Sequence, residues 1–279
     1  MKNLFFSILV ILCGLPVLAH AAEKESAYDR VMRTGVLRCG YVVYSPFFMK
    51  DPNTGKISGI FADVMEESGK LLNLKINWAE EAGTPVLIEG LHSGRLDALC
   101  SGFWPNAARG READFSRPLF YSALGVYVRS DDDHFDGNLQ SLNRPDVTVA
   151  VVDGEMADQI ASVSFPLAKK VALPQMTNVS ELLLSVALKK ADFTISGINE
   201  EREYSQHNPG KIKRIDTKNP IRVFPNVIMT GKEDRKLISM IDSAFDELGQ
   251  TGKLEQIILR YEKQPGEFYR VAKPYEVKN

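Results

Sequence analysis

The sequence predicts an α/β protein of two lobes joined by two crossing strands, and three observations predict it. First, apolar strand-like runs alternate with helical periodicity along almost the whole chain, which argues for parallel sheets covered by helices on both faces. Second, this β-then-α grammar breaks once, after a long strand over 121–129, at Asp131-Asp132-Asp133, and then starts again at 147. Third, a second long strand over 222–230 offers a way back before two closing helices. Two crossings between two α/β units make a hinged clamshell with its cleft at the strand ends.

In the first unit a strand is expected over 36–43. Asp51-Pro52-Asn53-Thr54-Gly55 is a turn, and 60–74 is a helix with Ile60, Phe61, Val64, Met65, Leu71 and Leu72 on one face. A strand over 75–79 follows. Then come a helix over 84–93 opened by Thr84-Pro85, a strand over 97–102 and a short helix near 106–112. In the second unit strands fall at 147–152, 170–173, 192–196 and 212–216. Helices fall at 154–163, at 178–189 under an Asn178 cap, and at 199–207. The closing helices span 234–248 and 252–261. These periods place the first lobe at residues 23–125 plus 228–263 and the second at 126–227. The polar stretch 264–279 is an appendage.

The first 22 residues read as an export signal. Lys2 precedes an apolar run over 4–12, Gly14 and Pro16 break it, and Ala19-His20-Ala21 presents small residues to a peptidase. The run is too short to span a bilayer, and no later stretch is long and apolar enough to do so. The expected location is therefore the periplasm. That compartment permits a bridge between Cys39 and Cys100, each in a strand-like run. Two buried thiols are the other reading, because sequence supplies no Cα separation.

With 34 basic against 36 acidic residues and no Lys/Arg stripe, nucleic acid is not an expected partner. His92, His134 and His207 have no metal-ligand spacing. The chain carries neither a Gly-rich phosphate loop nor a nucleophile elbow, so no metal, cofactor or catalytic residue is expected.

Several stretches carry a family likeness: Leu37-Arg38-Cys39-Gly40, Tyr44-Ser45-Pro46-Phe47, Gly59-Ile60-Phe61-Ala62-Asp63-Val64, Gly94-Arg95-Leu96-Asp97-Ala98, Ala107-Ala108-Arg109 and Asp114-Phe115-Ser116-Arg117-Pro118. In this order the chain resembles the extracellular solute-binding proteins of ABC importers, in the polar amino-acid group. The resemblance runs from about residue 31 to 263. It implies a type II periplasmic binding protein clamshell of two Rossmann-like lobes. The protein would be a monomer that closes on a small, carboxylate-bearing ligand and delivers it to an inner-membrane permease. It is not expected to be an enzyme. An enzyme on the same scaffold, such as a cyclohexadienyl dehydratase with Glu155 as its acid, and a ligand-sensing protein are the alternatives.

The same resemblance suggests a site. Arg109, just past a strand at the start of a short helix, would grip the ligand carboxylate with two parallel hydrogen bonds. Tyr44 would stack on the ligand, and Gly102 would donate a backbone N–H. Trp104 stands where the family carries a small hydroxyl residue, as either a stacking face or a packed wall. Asp63 is expected to be structural, complementing a helix dipole. The second lobe departs from the pattern. Gly154-Glu155-Met156 replaces a glycine followed by two hydroxyl residues, and Gly197 replaces an amine-binding Asp. Glu155 is expected to take over the amine, with Glu200 or Glu201 as substitutes, and Met156 to supply an adaptable apolar wall.

Overall fold

A computed structural model describes residues 25–175, 177–216, 218–263 and 267–272; the expected signal segment lies outside them. The chain opens with α1 (Ala27–Thr34), for which the sequence reading made no provision. The Ser26 hydroxyl accepts from the Asp29 N–H at its start, and Gly35, at φ 66°, ends it. β1 (Val36–Tyr41) leads to a ribbon of β2 (Met49–Lys50) and β3 (Ile57–Ser58). The expected turn joins these two strands, with the Asp51 carboxylate accepting from the N–H groups of Asn53 and Thr54.

α2 (Ile60–Leu71) and β4 (Lys75–Glu81) follow. The helix expected over 60–74 stops three residues early, because Asn73 takes the left-handed conformation at φ 53° that Asn tolerates. Next come α3 (Thr84–His92), β5 (Ala98–Phe103), α4 (Ala107–Glu112), β6 (Ala113–Phe115) and β7 (Phe120–Arg129).

Beyond the acidic break the second unit runs β8 (Thr148–Val152), α5 (Met156–Ser164), β9 (Lys169–Leu173), α6 (Val179–Ala187), β10 (Phe193–Gly197), α7 (Ile198–His207) and β11 (Ile212–Arg214). β12 (Arg222–Gly231), α8 (Arg235–Gln250), α9 (Lys253–Tyr261) and β13 (Phe268–Arg270) complete the described chain.

The strands order as β4-β1-β5-β12-β7-β10-β8-β9. β1 pairs in parallel with β4 and β5, and β8 in parallel with β9 and β10. The two long strands run antiparallel to their neighbours and exchange partners midway. Arg222–Asn226 of β12 lies against Phe120–Leu124 of β7, and from Val227 onward β12 pairs with β5 and β6. β7 in turn pairs with β10 from Leu124 to Val128. Each partner change carries the sheet from one core to the other. One core is built from α2, α8, α9 and the strands around Cys39 and Ile228; the other gathers Val126, Val149, Val151, Ile160, Phe193 and Ile195. The β8 run Thr-Val-Ala-Val-Val is buried on both faces, as a central parallel strand requires.

Cys39 and Cys100 form a disulfide with Cα atoms 5.6 Å apart, which settles the choice the sequence left open. Their strands are parallel neighbours, a placement that pattern alone could not fix. The stretch after Lys263 is more than an appendage: β13 adds antiparallel to Phe120–Ser122 of β7. Phe268 is 2% exposed and packs against Phe47 and Phe120. A three-residue strand is too short to leave a period in the sequence.

Candidate functional site

The site builds up from the end of β5. Gly102 sits there at φ +87°, and a Cβ on it would lie 2.4 Å from the Phe61 ring, so only glycine lets the strand turn here. Four residues on, Asn106 caps α4 by accepting from the Arg109 N–H at 2.8 Å, which fixes the Arg109 backbone. The Arg109 side chain is only 10% exposed. Its Nη1 donates to the Trp104 carbonyl at 3.0 Å and its Nη2 to Glu155 Oε2 at 2.9 Å.

Glu155 belongs to the other lobe, at the N-cap of α5 just after Gly154 at φ 73°. Its second oxygen accepts from the Thr84 hydroxyl of α3 at 3.3 Å. α3 and α4 of one lobe thus meet α5 of the other through a single carboxylate. Glu155 was expected to await a ligand amine. It is instead committed to Arg109, because the N-terminus of α5 faces α4 across the cleft. Met156, beside it, is the first residue of α5 and is 5% exposed.

The aromatic residues lie deeper. Tyr44 is bridged to Phe48 by two backbone hydrogen bonds of 2.7 and 2.8 Å, and its ring stacks on Phe47 at 5.2 Å. Trp104 meets the Tyr44 ring edge-on at 6.4 Å and stacks on Phe224 at 5.3 Å. The Trp104 indole N–H donates to Asn226 Oδ1 at 3.0 Å. Asn226 is 2% exposed and occupies the point where β12 changes partner. Trp104 is thus packed on a crossing strand through Phe224 and Asn226, with its edge toward Tyr44.

Gly197 ends β10 and caps α7. A Cβ there would lie 1.6 Å from Glu200 Oε2. The Glu200 carboxyl therefore fills the space a side chain at 197 would need. Glu200 is the third residue of α7, and a glutamate at that position folds back over the cap. It is 8% exposed, and burial pushes its carboxyl up to about 7, opposed by hydrogen bonding from Tyr44. Burial also raises Tyr44 well above the usual phenol range, with Glu200 and Glu155 adding to the effect. So Gly197 offers no side chain to a ligand but makes room for one. The signal in the sequence was a glycine and a glutamate three apart at a helix start.

Outside the Arg109–Glu155 pair lies a cleft of about 440 Å³ lined by Asn106, Gln159 and Gln175 among others. Asp63 lies in the first turn of α2, as expected of a structural carboxylate; it also accepts from the Tyr261 hydroxyl at 2.8 Å and pairs with Arg260, tying α9 to α2. Asp97 is likewise structural, 1% exposed and held by Arg30 and Arg38. Among the described residues no group of three or more His, Cys, Asp or Glu is placed to hold a metal ion, and no helix is long and apolar enough to cross a membrane.

A two-lobed α/β clamshell with a cationic and an acidic group facing across its cleft is the architecture of a type II periplasmic binding protein. Comparison with known proteins gives the particular family. Residues 37–264 match the bacterial extracellular solute-binding proteins, family 3, and the chain belongs to that family. A Haemophilus influenzae protein named as a probable amino-acid ABC transporter-binding protein is 25% identical over 94% of this chain and 97% of its own. The Pseudomonas aeruginosa cyclohexadienyl dehydratase is 25% identical over 75% of this chain and 77% of its own. The fold matches the crystal structure of an ancestral amino acid-binding protein, a precursor of cyclohexadienyl dehydratase, with a TM-score of 0.74. That match has 24% identity and covers 86% of this chain and all of the other. The relatives thus include binding proteins and an enzyme.

Proposed function

We propose that the protein is exported through removal of residues 1–22 and binds an amino acid or close relative between its lobes. The closed form then docks, as a monomer, on the permease of an ABC importer. The lobes are residues 23–125 plus 228–263 and residues 126–227. The segment 267–272 is bound to the first lobe through Phe268. The observation that carries this reading is the buried Arg109 guanidinium at the start of the cleft, which already meets a carboxylate from the other lobe.

In this assignment Arg109 takes the ligand carboxylate and Glu200, in the room left by Gly197, takes the amine. Tyr44 and Trp104 offer ring surface, Gly102 a backbone donor and Met156 an apolar wall. Calorimetry with a panel of amino acids tests it. Arg109→Ala removes a charge-assisted pair worth about 2–3 kcal/mol, so affinity should fall roughly 30- to 150-fold. Unchanged affinity rejects the assignment.

One observation favours a second reading. A buried carboxyl near 7 beside a phenol is suited to proton transfer at neutral pH, and one relative is a dehydratase. Incubation with prephenate or arogenate separates the two. Product that disappears in Glu200→Gln would make the protein an enzyme; absence of product leaves it a binder.

A further inference from the structure

Arg109 already holds a carboxylate, and that carboxylate belongs to the chain itself. Glu155 Oε2 lies 2.9 Å from Nη2, while Nη1 is taken by the Trp104 carbonyl. A ligand carboxylate seated on the same edge of the guanidinium competes with Glu155 for Nη2. A second carboxylate arriving beside Glu155 would also face like-charge repulsion. We infer that Glu155 is an internal competitor for the carboxylate seat on Arg109: it draws the lobes together without ligand, and a carboxylate-bearing ligand must displace it. This inference rests on the reading of Arg109 as the carboxylate grip.

The geometry suits an exchangeable latch. Arg109 is nearly buried, but the Glu155 side chain is 39% exposed and can leave the cleft by rotating about its own bonds. Its other oxygen accepts from the Thr84 hydroxyl at 3.3 Å, a long hydrogen bond. Glu155 precedes the first residue of α5, so its departure breaks no helical turn. The three groups come from α3, α4 and the start of α5, so the pair exists only when the lobes are close. Ligand-free closure then lowers apparent affinity, because the open, binding-competent form is only a fraction of the population. The same residue sets specificity: a ligand without a carboxylate does not have to displace it.

The test pairs small-angle scattering with calorimetry. Ligand-free wild type, Glu155→Thr and the charge swap Arg109→Glu with Glu155→Arg are compared by radius of gyration. Melting temperatures establish that each variant folds. L-arginine, L-lysine and L-histidine are titrated against their decarboxylated counterparts agmatine, cadaverine and histamine. Ligand-free Glu155→Thr should have a larger radius than wild type, and the swap should restore the wild-type radius. Affinity of Glu155→Thr for any amino acid that binds should rise ten-fold or more, and by more than affinity for the matching amine, which gains only from the opened lobes. An unaltered radius in Glu155→Thr overturns the latch, as does weaker amino-acid binding, which would make Glu155 a ligand contact. If none of the three amino acids binds any variant, the amino-acid reading of the cleft fails, while the ligand-free radius still decides the latch.

Discussion

Glu200 shows how a single substitution relocates a charge. With Gly197 at the end of β10, the carboxyl comes from one turn further along α7, fills the space beside Gly197 and bonds Tyr44. Its burial has a thermodynamic consequence whose sign is fixed. The folded carboxyl titrates at about 7, against 4.5 unperturbed, so between those values the folded protein holds a proton that the unfolded chain has released. Stability from this group is complete below about 4.5 and is lost as pH rises through 7, by an amount on the order of 3 kcal/mol at most. Thermal melts should show the wild type losing stability from pH 5 to 8 relative to Glu200→Gln, whose profile should be flatter. A cationic ligand meeting Glu200 must expel that proton. Binding near pH 6.5 should therefore release close to one proton in buffers of different ionisation enthalpy, and Glu200→Gln should release none. Gly197→Ala should weaken binding by at least ten-fold, because its methyl takes the space the Glu200 carboxyl occupies; equal affinity would mean the carboxyl works from elsewhere.

Among the elements, β7, β12 and β13 decide how the lobes connect. β7 is flanked by β12 and β13 at Phe120–Ser122, so three strands, rather than the two the sequence predicts, lie at the crossing. The Asn226 side chain bonds Trp104, Ser122 and the Phe120 carbonyl, fastening the aromatic floor of the cleft to that crossing. Just before β13, Glu267 pairs with Arg202 of α7, the helix that carries Glu200. The short strand therefore touches both lobes. Phe268→Ala should cost about 3–5 kcal/mol of stability in chemical denaturation, as deletion of a buried ring does. A loss under 1 kcal/mol would show that β13 is not anchored in the core. The helix cap at Asn178 was legible because a polar residue before an apolar period has a local cause. β13 was not legible, because its only cause is the far side of β7.

Across the whole molecule, the Cys39–Cys100 bridge closes a loop of 61 residues within the first lobe. By the chain-entropy relation a loop of that length contributes about 4 kcal/mol. Replacing both cysteines by Ala should lower the denaturation midpoint accordingly while leaving ligand affinity within about two-fold, since neither cysteine borders the cleft residues; a large loss of affinity would tie the bridge to the site. The sequence by itself determined the α/β class, the two crossing strands, the order of nearly every element and the family. The first three follow from periodicity, caps and turn residues that act over a few positions, and the family from the resemblance of short motifs in their order. That resemblance also pointed to Arg109. Only the tertiary structure decided which carboxylate meets which partner. Glu155 and Glu200 are indistinguishable as residues, and both open helices of the second lobe. One faces Arg109 across the cleft, while the other folds over a glycine into an apolar pocket beside Tyr44. Burial and opposite charge set their roles, and neither exists until the lobes meet.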